Sequence, residues 1–294
     1  MTLRLEALAK VNRSLLVLGV RPDGYHELDT LFQTIDLSDE LVVEEDDRLT
    51  LSVAGAPLPS DDRNLVLVAA RSLVARSGTT RGARFALTKR IPVGAGLGGG
   101  SADAAAALLG LNILWGLGLS AGELGQVAAT VGSDVAFFLS GGRARGTGRG
   151  ERIEMLPDLP DESLVLLVPP FGMATPDVYR EVGAGALAGP PPTGPREDLM
   201  PDRNDLEAAA ERLRPELRSL RASLLAAGAV TARLSGSGSA LFGLFRSREV
   251  AEQAAAALGS LGGARAVVTR TVSRDEWRRR ACPGGGCEAG SRKP

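Results

Sequence analysis

The sequence Pro92-Val93-Gly94-Ala95-Gly96-Leu97-Gly98-Gly99-Gly100-Ser101-Ala102 leads into an alanine-rich segment that predicts a helix ending near Leu114. Five glycines fall within seven residues, and glycine both adopts positive φ angles and lets a ligand approach the main chain. The helix that follows offers unpaired N–H groups and the positive end of its dipole, which together favour a bound anion. Ser101 or Asp103 is predicted to cap this helix. The stretch therefore predicts a phosphate-binding loop.

Three other interpretations of this glycine-rich stretch fit less well. Gly94, Gly96 and Gly99 match the spacing of a dinucleotide-binding fingerprint, which also needs a following strand that ends in an acidic residue about 20 residues on. Here a second predicted helix, which contains Glu123, follows the first. Gly100 stands where a Walker A loop requires lysine. A flexible linker is disfavoured, because five glycines lose much entropy on folding and a linker does not need a proline and a helix cap.

Composition and charge narrow the class of protein. The chain of 294 residues is long enough for two domains, and its formal net charge of −1 argues against a strongly basic nucleic-acid-binding surface. Its apolar runs fall short of the roughly 20 residues that a membrane-spanning helix needs. The N-terminus lacks the apolar core of a secretion signal. We therefore expect a cytoplasmic protein that binds neither nucleic acid nor a membrane.

The two cysteines of the chain, Cys282 and Cys287, lie in a glycine-rich C-terminal segment. Their spacing is compatible with a disulfide, with half of a metal site or with two free thiols, and we expect free thiols. One histidine and two cysteines cannot form a closed zinc site without carboxylates. No structural metal is therefore expected.

Strand and helix signals interleave without a regular βαβ rhythm, which predicts an α+β fold. Separate short strands are predicted on the two sides of residues 9–13. Ser120 and Glu123 predict a capping box at the start of a helix. Residues 183–195 are rich in glycine and proline and predict a mobile loop.

A glycine-rich segment at residues 141–150 indicates a domain boundary near the middle of the chain. We predict an N-terminal domain at residues 1–152, a C-terminal domain at 153–280 and a disordered tail at 281–294.

Asp134, Lys10 and His26 are the candidate functional residues outside the glycine-rich stretch. Asp134 precedes an apolar run, where an aspartate can equally be an ordinary helix cap. Lys10 lies between apolar strand segments, where a lysine is seldom fully buried unless paired, so a solvated edge lysine is the alternative. His26 is the only histidine, and with Tyr25 it offers two planar faces for stacking, although a single histidine in a turn is usually just solvated. Spacing alone leaves these alternatives open.

Several motifs together resemble those of the GHMP kinases, a family of small-molecule kinases. The glycine-rich stretch resembles the phosphate-binding loop of the family. Four further segments resemble motifs of the members whose acceptor alcohol carries a cytidine diphosphate group. They are residues 9–12 (Ala-Lys-Val-Asn), 22–28 (Pro-Asp-Gly-Tyr-His-Glu-Leu), 132–135 (Gly-Ser-Asp-Val) and 234–239 (Leu-Ser-Gly-Ser-Gly-Ser). The second of these segments separates this group from mevalonate and homoserine kinases.

The resemblance implies a two-domain GHMP kinase fold with its active site in the cleft between the domains. It implies transfer of the γ-phosphoryl group of ATP, bound with Mg²⁺, to a hydroxyl of a small molecule that carries cytidine diphosphate. Asp134 would be the catalytic base, and Lys10 would pair with it and stabilise charge on the transferring group.

The resemblance also assigns binding residues. The ATP-binding residues would be Lys89, Pro92, Val93, Gly94, Ala95, Gly96, Leu97, Gly98, Gly99, Gly100, Ser101 and Ala102. Among them, Ser101 is the candidate contact for the magnesium ion. The acceptor would be bound by Asn12, Tyr25, His26, Gly236, Ser237 and Gly238.

Two residues depart from the pattern of the family. Arg13 occupies a position that is usually apolar, and Ala102 stands where many members have a second serine. The alternatives are a GHMP kinase acting on mevalonate, homoserine or a sugar, or a non-catalytic nucleotide-binding sensor on the same fold. The sequence leaves open whether the protein is a monomer or a homodimer.

Overall fold

Two β-sheets, each covered by helices, organise the residues that the computed structural model describes, which are 1–182, 202–259 and 261–282. The strands are β1 (Thr2–Val20), β2 (His26–Asp46), β3 (Leu49–Ala54), β4 (Gly82–Thr88), β5 (Arg143–Gly148), β6 (Arg152–Met155), β7 (Ser163–Val168), β8 (Thr231–Leu234), β9 (Leu241–Phe245) and β10 (Arg265–Arg270). The helices are α1 (Leu65–Ser77), α2 (Gly99–Leu114), α3 (Ala121–Val131), α4 (Thr175–Val182), α5 (Glu207–Leu213), α6 (Glu216–Ala226), α7 (Arg248–Leu258) and α8 (Arg274–Ala281), with short 3₁₀ helices at Ser133–Leu139 and Leu261–Gly263. This mixture confirms the predicted α+β class.

The first sheet has six strands in the order β3-β4-β2-β5-β6, with β1 paired along β2. Helices α1, α2 and α3 cover it, and an apolar core forms between them from residues such as Leu5, Phe85 and Leu108. The alanine- and leucine-rich helix α2 is buried on nearly all sides, as expected of a helix without a polar face. The predicted capping box of Ser120 and Glu123 is confirmed at the start of α3.

Strand β1 differs from the prediction, because residues 9–13 do not interrupt it. The strand pairs with β2 along its whole length, with register shifts between Leu8 and Lys10, between Asn12 and Ser14 and between Val17 and Gly19. Such bulges change the direction in which side chains point and are common next to active sites. Lys10 and Asn12, the polar residues that suggested an interruption, therefore lie between the first two register shifts.

The second sheet is antiparallel, in the order β10-β7-β9-β8, and packs with helices α4 to α7 around a second core. A third apolar cluster joins the two sheets. It contains Val11 of β1, Leu97 of the glycine-rich stretch, Leu164 of β7 and Phe242 of β9. The glycine-rich stretch is therefore fixed at the junction of the sheets by its own apolar side chains.

The C-terminal helix α8 returns to the first sheet, where Trp277, Ala281 and Cys282 are buried in the first core. Cys282 is disulfide-bonded, so the expectation of free thiols is wrong at this residue. Residues 283–294, most of the predicted tail, lie outside the described residues, as does the loop predicted at 183–195. Within the described ranges, no helix is both long enough and apolar enough to cross a membrane.

Strand β6 bears on the domain division that we predicted between residues 152 and 153. It spans Arg152–Met155 and pairs with β5 in the first sheet. The predicted division therefore falls inside a strand of the first sheet, and we propose a boundary between Met155 and Ser163, where β7 begins the second sheet.

Candidate active site

A cleft of about 830 Å³ lies between the glycine-rich stretch, β1, the start of β2 and the N-terminal part of α4. All the predicted site residues line it except Ala102 and Gly238. Ala102 is buried inside α2. Gly238 packs against the Leu234 side chain, which would lie 2.8 Å from a Cβ at this position. The structure therefore gathers segments that are far apart in sequence around one cavity.

The glycine-rich stretch enters helix α2 through three left-handed residues, Gly94, Gly96 and Gly98, with φ angles of 68°, 74° and 73°. Gly98 is the N-cap of α2, and no described side chain caps the helix. The prediction that Ser101 or Asp103 caps it is wrong, because both residues already lie inside the helix. The first-turn N–H groups, which have no partner within a helix, thus face no capping side chain and suit an anionic ligand.

A second glycine-rich loop, residues 235–239, packs directly on the first. A Cβ at Gly96 would lie 2.0 Å from the carbonyl oxygen of Ser235, so only glycine fits there. The Ser235 hydroxyl donates to the Gly96 carbonyl (2.9 Å), and the Ala240 N–H donates to the Ala95 carbonyl (3.0 Å). The two loops are consequently held backbone to backbone beside the cleft.

Lys10 lies buried at the floor of the cleft and is held by three oxygen atoms. Its Nζ donates to Asn12 Oδ1 and to the Gly96 carbonyl (2.9 Å), and lies 3.5 Å from Asp134 Oδ2. Burial lowers the pKa of Lys10, and the Asp134 carboxylate opposes this shift. Asn12 Nδ2 donates to the Thr30 hydroxyl (2.7 Å), which orients the amide so that its oxygen faces Lys10. Because Lys10 is buried and has three oxygen partners, it is not a solvated lysine at a sheet edge.

Asp134 is in the first turn of the short 3₁₀ helix Ser133–Leu139, whose N-cap is Gly132. It is therefore not the cap of this helix, and its carboxylate is paired with Lys10 instead. The Asp134 side chain is 33% exposed, compared with 4% for Lys10. The carboxylate is thus accessible to a ligand in the cleft, while the buried lysine pairs with it.

The aromatic residues are arranged differently from the sequence expectation. The His26 ring packs on Tyr179 of α4, with ring centroids 4.8 Å apart and an interplanar angle of 33°. Tyr25 is 54% exposed, and the Arg149 guanidinium lies 4.7 Å from its ring centroid. Sequence reasoning missed Tyr179, whose one available signal is that it is one of only two tyrosines in the chain.

Lys89 lines the cleft but is buried beneath the glycine-rich stretch. Its Nζ is paired with Asp39 of β2 and with Asp103 of α2. Asp39 also accepts hydrogen bonds from the backbone N–H groups of Arg90 and Ile91. Burial, together with the nearby charge of Asp39, raises the pKa of Asp103 to about 7, although Lys89 opposes the shift. This arrangement favours a role for Lys89 in holding the loop rather than as a free cation.

Other residues that the sequence did not indicate also surround the cleft. Arg149, Thr175 and Arg180 line it, and the Thr175 hydroxyl lies 2.8 Å from that of Ser237. Arg13, which departs from the family pattern, forms an ion pair with Glu162 just before β7. The departure is thus accommodated by a charged partner in the chain.

Comparisons with known proteins identify a matching family and similar kinases. The family description "GHMP kinases N terminal domain" matches residues 64–142, and "GHMP kinases C terminal" matches residues 195–264. A 4-diphosphocytidyl-2-C-methyl-D-erythritol kinase of Moorella thermoacetica is 43% identical over 286 residues, which cover 92% of this chain and 99% of the relative. The kinase of the same name from Listeria monocytogenes is 40% identical over 257 residues, which cover 84% of this chain and 88% of the relative.

Solved structures show the same similarity. A crystal structure of 4-(cytidine 5'-diphospho)-2C-methyl-D-erythritol kinase superposes with a TM-score of 0.78 at 40% identity, over 92% of this chain and 100% of that one. A homoserine kinase from Cytophaga hutchinsonii has a TM-score of 0.71 at 21% identity, over 92% of this chain and 95% of that one. The second similarity concerns the fold alone.

Proposed function

This chain belongs to the GHMP kinase family, and from that premise we propose that it phosphorylates the 2-hydroxyl of 4-diphosphocytidyl-2-C-methyl-D-erythritol with ATP. This reaction is a step of the non-mevalonate route to isoprenoids. The single observation that carries the proposal is the ion pair of Lys10 and Asp134, 3.5 Å apart, at the floor of the cleft beside the glycine-rich loop. The names of the 40–44% identical relatives support the choice of acceptor.

The glycine-rich loop and the first turn of α2 bind the ATP phosphates. The backbone N–H groups of Gly99, Gly100 and Ser101 belong to a helix start without a side-chain cap, so they can donate to phosphate oxygens. Phosphoryl transfer depends mainly on positioning and on stabilisation of charge. A rigid loop, anchored by Leu97 in the junction of the sheets, supplies that positioning.

The oxygen atoms in the cleft fit a magnesium ion that arrives with ATP. Mg²⁺ binds through phosphate oxygens and one or two protein oxygens rather than through a dedicated protein cage. Among the residues that the structure describes, no group of three or more His, Cys, Asp or Glu could hold a metal, whereas Ser101 and Asp134 offer oxygens in the cleft. Ser101 is the residue that would contact the ion, whose charge would offset that of the phosphates.

Asp134 acts as the general base on the acceptor. Its carboxylate accepts the proton of the 2-hydroxyl while that oxygen bonds to the γ-phosphorus, and the bond from phosphorus to the β–γ bridging oxygen breaks to release ADP. Lys10 pairs with the Asp134 carboxylate and places a positive charge near the transferring group. Asn12 holds Lys10 in place.

The acceptor binds in the part of the cleft that is lined by His26, Tyr179 and the second glycine-rich loop. The cytosine ring packs against the aromatic pair of His26 and Tyr179, because such planar faces are suited to a nucleobase. Gly236, Ser237 and Arg149 line the cleft, and we assign the two loop residues to the diphosphate and Arg149 to the neutralisation of its charge. Tyr25 has its ring beside Arg149 and contributes at the rim.

The variant Asp134→Asn tests the assignment of the base. The amide has the same shape but cannot accept the proton, so kcat should fall by about 10²- to 10⁴-fold while the KM for ATP changes little. ADP release in the presence of ATP, Mg²⁺ and the acceptor measures both quantities. The matched control is Asp275→Asn on α8, an exposed aspartate paired with Arg278, which should leave kcat unchanged. Near-normal turnover by Asp134→Asn would contradict the assignment.

A further inference from the structure

Asn204 is a buried polar residue that the sequence did not indicate and that lies just before α5. We propose that Asn204 is a positioning residue for phosphoryl transfer, which holds the second glycine-rich loop, residues 235–239, against Lys10 and Asn12. The expected effect on kcat rests on the proposed function. The contacts that suggest the role of Asn204 do not depend on the identity of the acceptor.

Asn204 is 6% exposed, and both the nitrogen and the oxygen of its side-chain amide form hydrogen bonds. Its Nδ2 donates to the carbonyls of Leu234 (2.9 Å) and Gly236 (2.7 Å). Its Oδ1 accepts from the backbone N–H of Leu206 (2.9 Å). Since a buried donor without a partner is strongly unfavourable, these bonds fix the loop relative to the start of α5.

The segment that carries Asn204 is itself attached to β1. The Leu15 N–H donates to the Arg203 carbonyl and the Asp205 N–H donates to the Leu15 carbonyl, both at 2.9 Å. Asp205 Oδ2 accepts from the Val17 N–H (2.9 Å). Asn204 thus links the second loop to the strand that carries Lys10 and Asn12.

This link reaches the reacting groups through Gly236. A Cβ at Gly236 would lie 3.3 Å from Lys10 Nζ and 3.2 Å from Asn12 Oδ1, so the loop backbone is in close contact with both side chains. A movement of the loop by one ångström would therefore change the environment of Lys10 directly.

Peptide geometry gives the link a second consequence. In a trans peptide the carbonyl and the following N–H point in opposite directions. Because Asn204, which does not line the cleft, holds the Gly236 carbonyl, the Ser237 N–H points away from Asn204. Gly236 and Ser237 both line the cleft, so this N–H can donate to an anionic substrate oxygen.

The variant Asn204→Asp separates the two ends of the amide. A carboxylate still accepts from the Leu206 N–H, but its second oxygen faces the carbonyls of Leu234 and Gly236 and repels them. We expect kcat to fall about 10- to 100-fold, as for other small misplacements of reacting groups. We also expect faster hydrogen–deuterium exchange at residues 235–238. Asn204→Ala removes the same two bonds without adding charge and serves if the carboxylate variant does not fold.

Asn112→Asp is the matched control. Asn112 is buried to a similar degree, 9% exposed, and its amide donates to the Leu119 carbonyl and accepts from the Leu119 N–H, both at 3.0 Å. It lies at the far end of α2, away from the cleft. The control should lower the unfolding temperature but keep kcat and the exchange at residues 235–238 at wild-type values.

The outcomes separate this inference from the proposed function. A wild-type protein without acceptor-dependent turnover would refute the proposed function, and the exchange at residues 235–238 would then decide whether Asn204 anchors the loop. Wild-type kcat in Asn204→Asp would overturn the inference, whether or not the exchange changes. An equal loss of kcat in Asn112→Asp would also overturn it, because a general loss of stability would then explain the effect.

Discussion

Two buried lysines near the cleft illustrate how partners decide the role of a charge. Lys10 has one carboxylate partner, Asp134, which is partly exposed to the cleft. Lys89 has two, Asp39 and Asp103, which are both buried. The charge of Lys89 is therefore neutralised within the protein, whereas the pair of Lys10 and Asp134 remains accessible to a substrate.

Tyr179 should determine the affinity for the acceptor. In the variant Tyr179→Ala, His26 loses its ring partner, so the KM for the acceptor should rise about tenfold or more, given the ~1–3 kcal/mol typical of stacking on a base. The KM for ATP should not change, and steady-state kinetics with each substrate varied in turn measures both. Tyr179→Phe should keep the acceptor KM. A larger effect from Tyr25→Ala than from Tyr179→Ala would contradict this arrangement.

Asp103 should make the stability of the protein depend on pH. Its pKa is raised from 3.8 to about 7 by burial, so between these two pH values the folded state binds a proton that the unfolded state has released. The free energy of unfolding should therefore decrease as the pH rises across this window, by up to about 1.4 kcal/mol per pH unit for one proton. Denaturant unfolding at several pH values measures this slope.

Asp103→Asn provides the comparison for this slope. The amide does not titrate, so the pH dependence that wild type shows and the variant lacks belongs to Asp103 together with its partners Lys89 and Asp39. Identical pH slopes in the two proteins between pH 3.8 and about 7 would show that Asp103 does not hold its proton in the folded state.

At the scale of elements, the site is formed where two glycine-rich loops meet beside the bulged segment of β1. The Lys10 N–H donates to the Leu97 carbonyl (3.1 Å), which ties the strand to the first loop. The Gly96 carbonyl accepts from both Lys10 Nζ and the Ser235 hydroxyl. One carbonyl therefore connects Lys10 and both loops.

Gly96→Ala should force the two loops apart. A Cβ there would lie 2.0 Å from the Ser235 carbonyl oxygen, a backbone atom that cannot simply rotate away. We expect kcat/KM to fall by at least about 100-fold, the scale of a 1 Å misplacement, as measured by ADP release.

Gly116→Ala is the control for this substitution. Gly116 also has a positive φ, 62°, but nothing lies within 4 Å of its Cβ position. In both variants the free energy of unfolding should fall by ~1–2 kcal/mol, because alanine is strained in the left-handed conformation. Gly116→Ala should nevertheless remain active. Equal activities of the two variants would show that the contact between the loops is unimportant for catalysis.

The sequence predicted those elements whose signals are local. Helix α2, the capping box at Ser120 and the glycine-rich loop follow from neighbouring residues, and each is present. The continuity of β1 was missed, because polar residues inside a strand look like a break until the bulges that place them are seen.

Contacts between distant segments could not be predicted from the sequence. Asp39, Asp103, Tyr179 and Asn204 gain their roles from partners that the fold brings together, so no local pattern indicates them. Lys10 and Asp134 were paired through the family resemblance, because they are far apart in the chain and spacing left their roles open.

At the scale of the whole molecule, the two sheets are joined by apolar packing and by backbone contacts. The third apolar cluster, which includes Ile35, packs between them. Ile35 also forms a bridge with Thr271, and the Val272 N–H donates to the Thr34 carbonyl. Helix α8 then packs on the first sheet. The C-terminal part of the chain is therefore needed to complete the N-terminal core.

Trp277→Ala tests this dependence. Trp277 is 3% exposed and packs on Gly141, where a Cβ would lie 2.2 Å from the indole. Its loss should lower the free energy of unfolding by about 3–5 kcal/mol, as measured by denaturant unfolding. Leu225→Ala, at a residue 43% exposed, should change it by less than about 0.5 kcal/mol. A change of less than about 0.5 kcal/mol in Trp277→Ala would show that the first core does not depend on α8.

The acceptor preference of the wild-type protein tests the central claim most directly. ADP release should be measured with ATP and Mg²⁺ and, in separate reactions, with 4-diphosphocytidyl-2-C-methyl-D-erythritol, mevalonate or homoserine. We predict turnover with the first acceptor alone and competitive inhibition by cytidine diphosphate against that acceptor. Equal or faster turnover of mevalonate or homoserine, or no acceptor-dependent ADP release at all, would contradict the account.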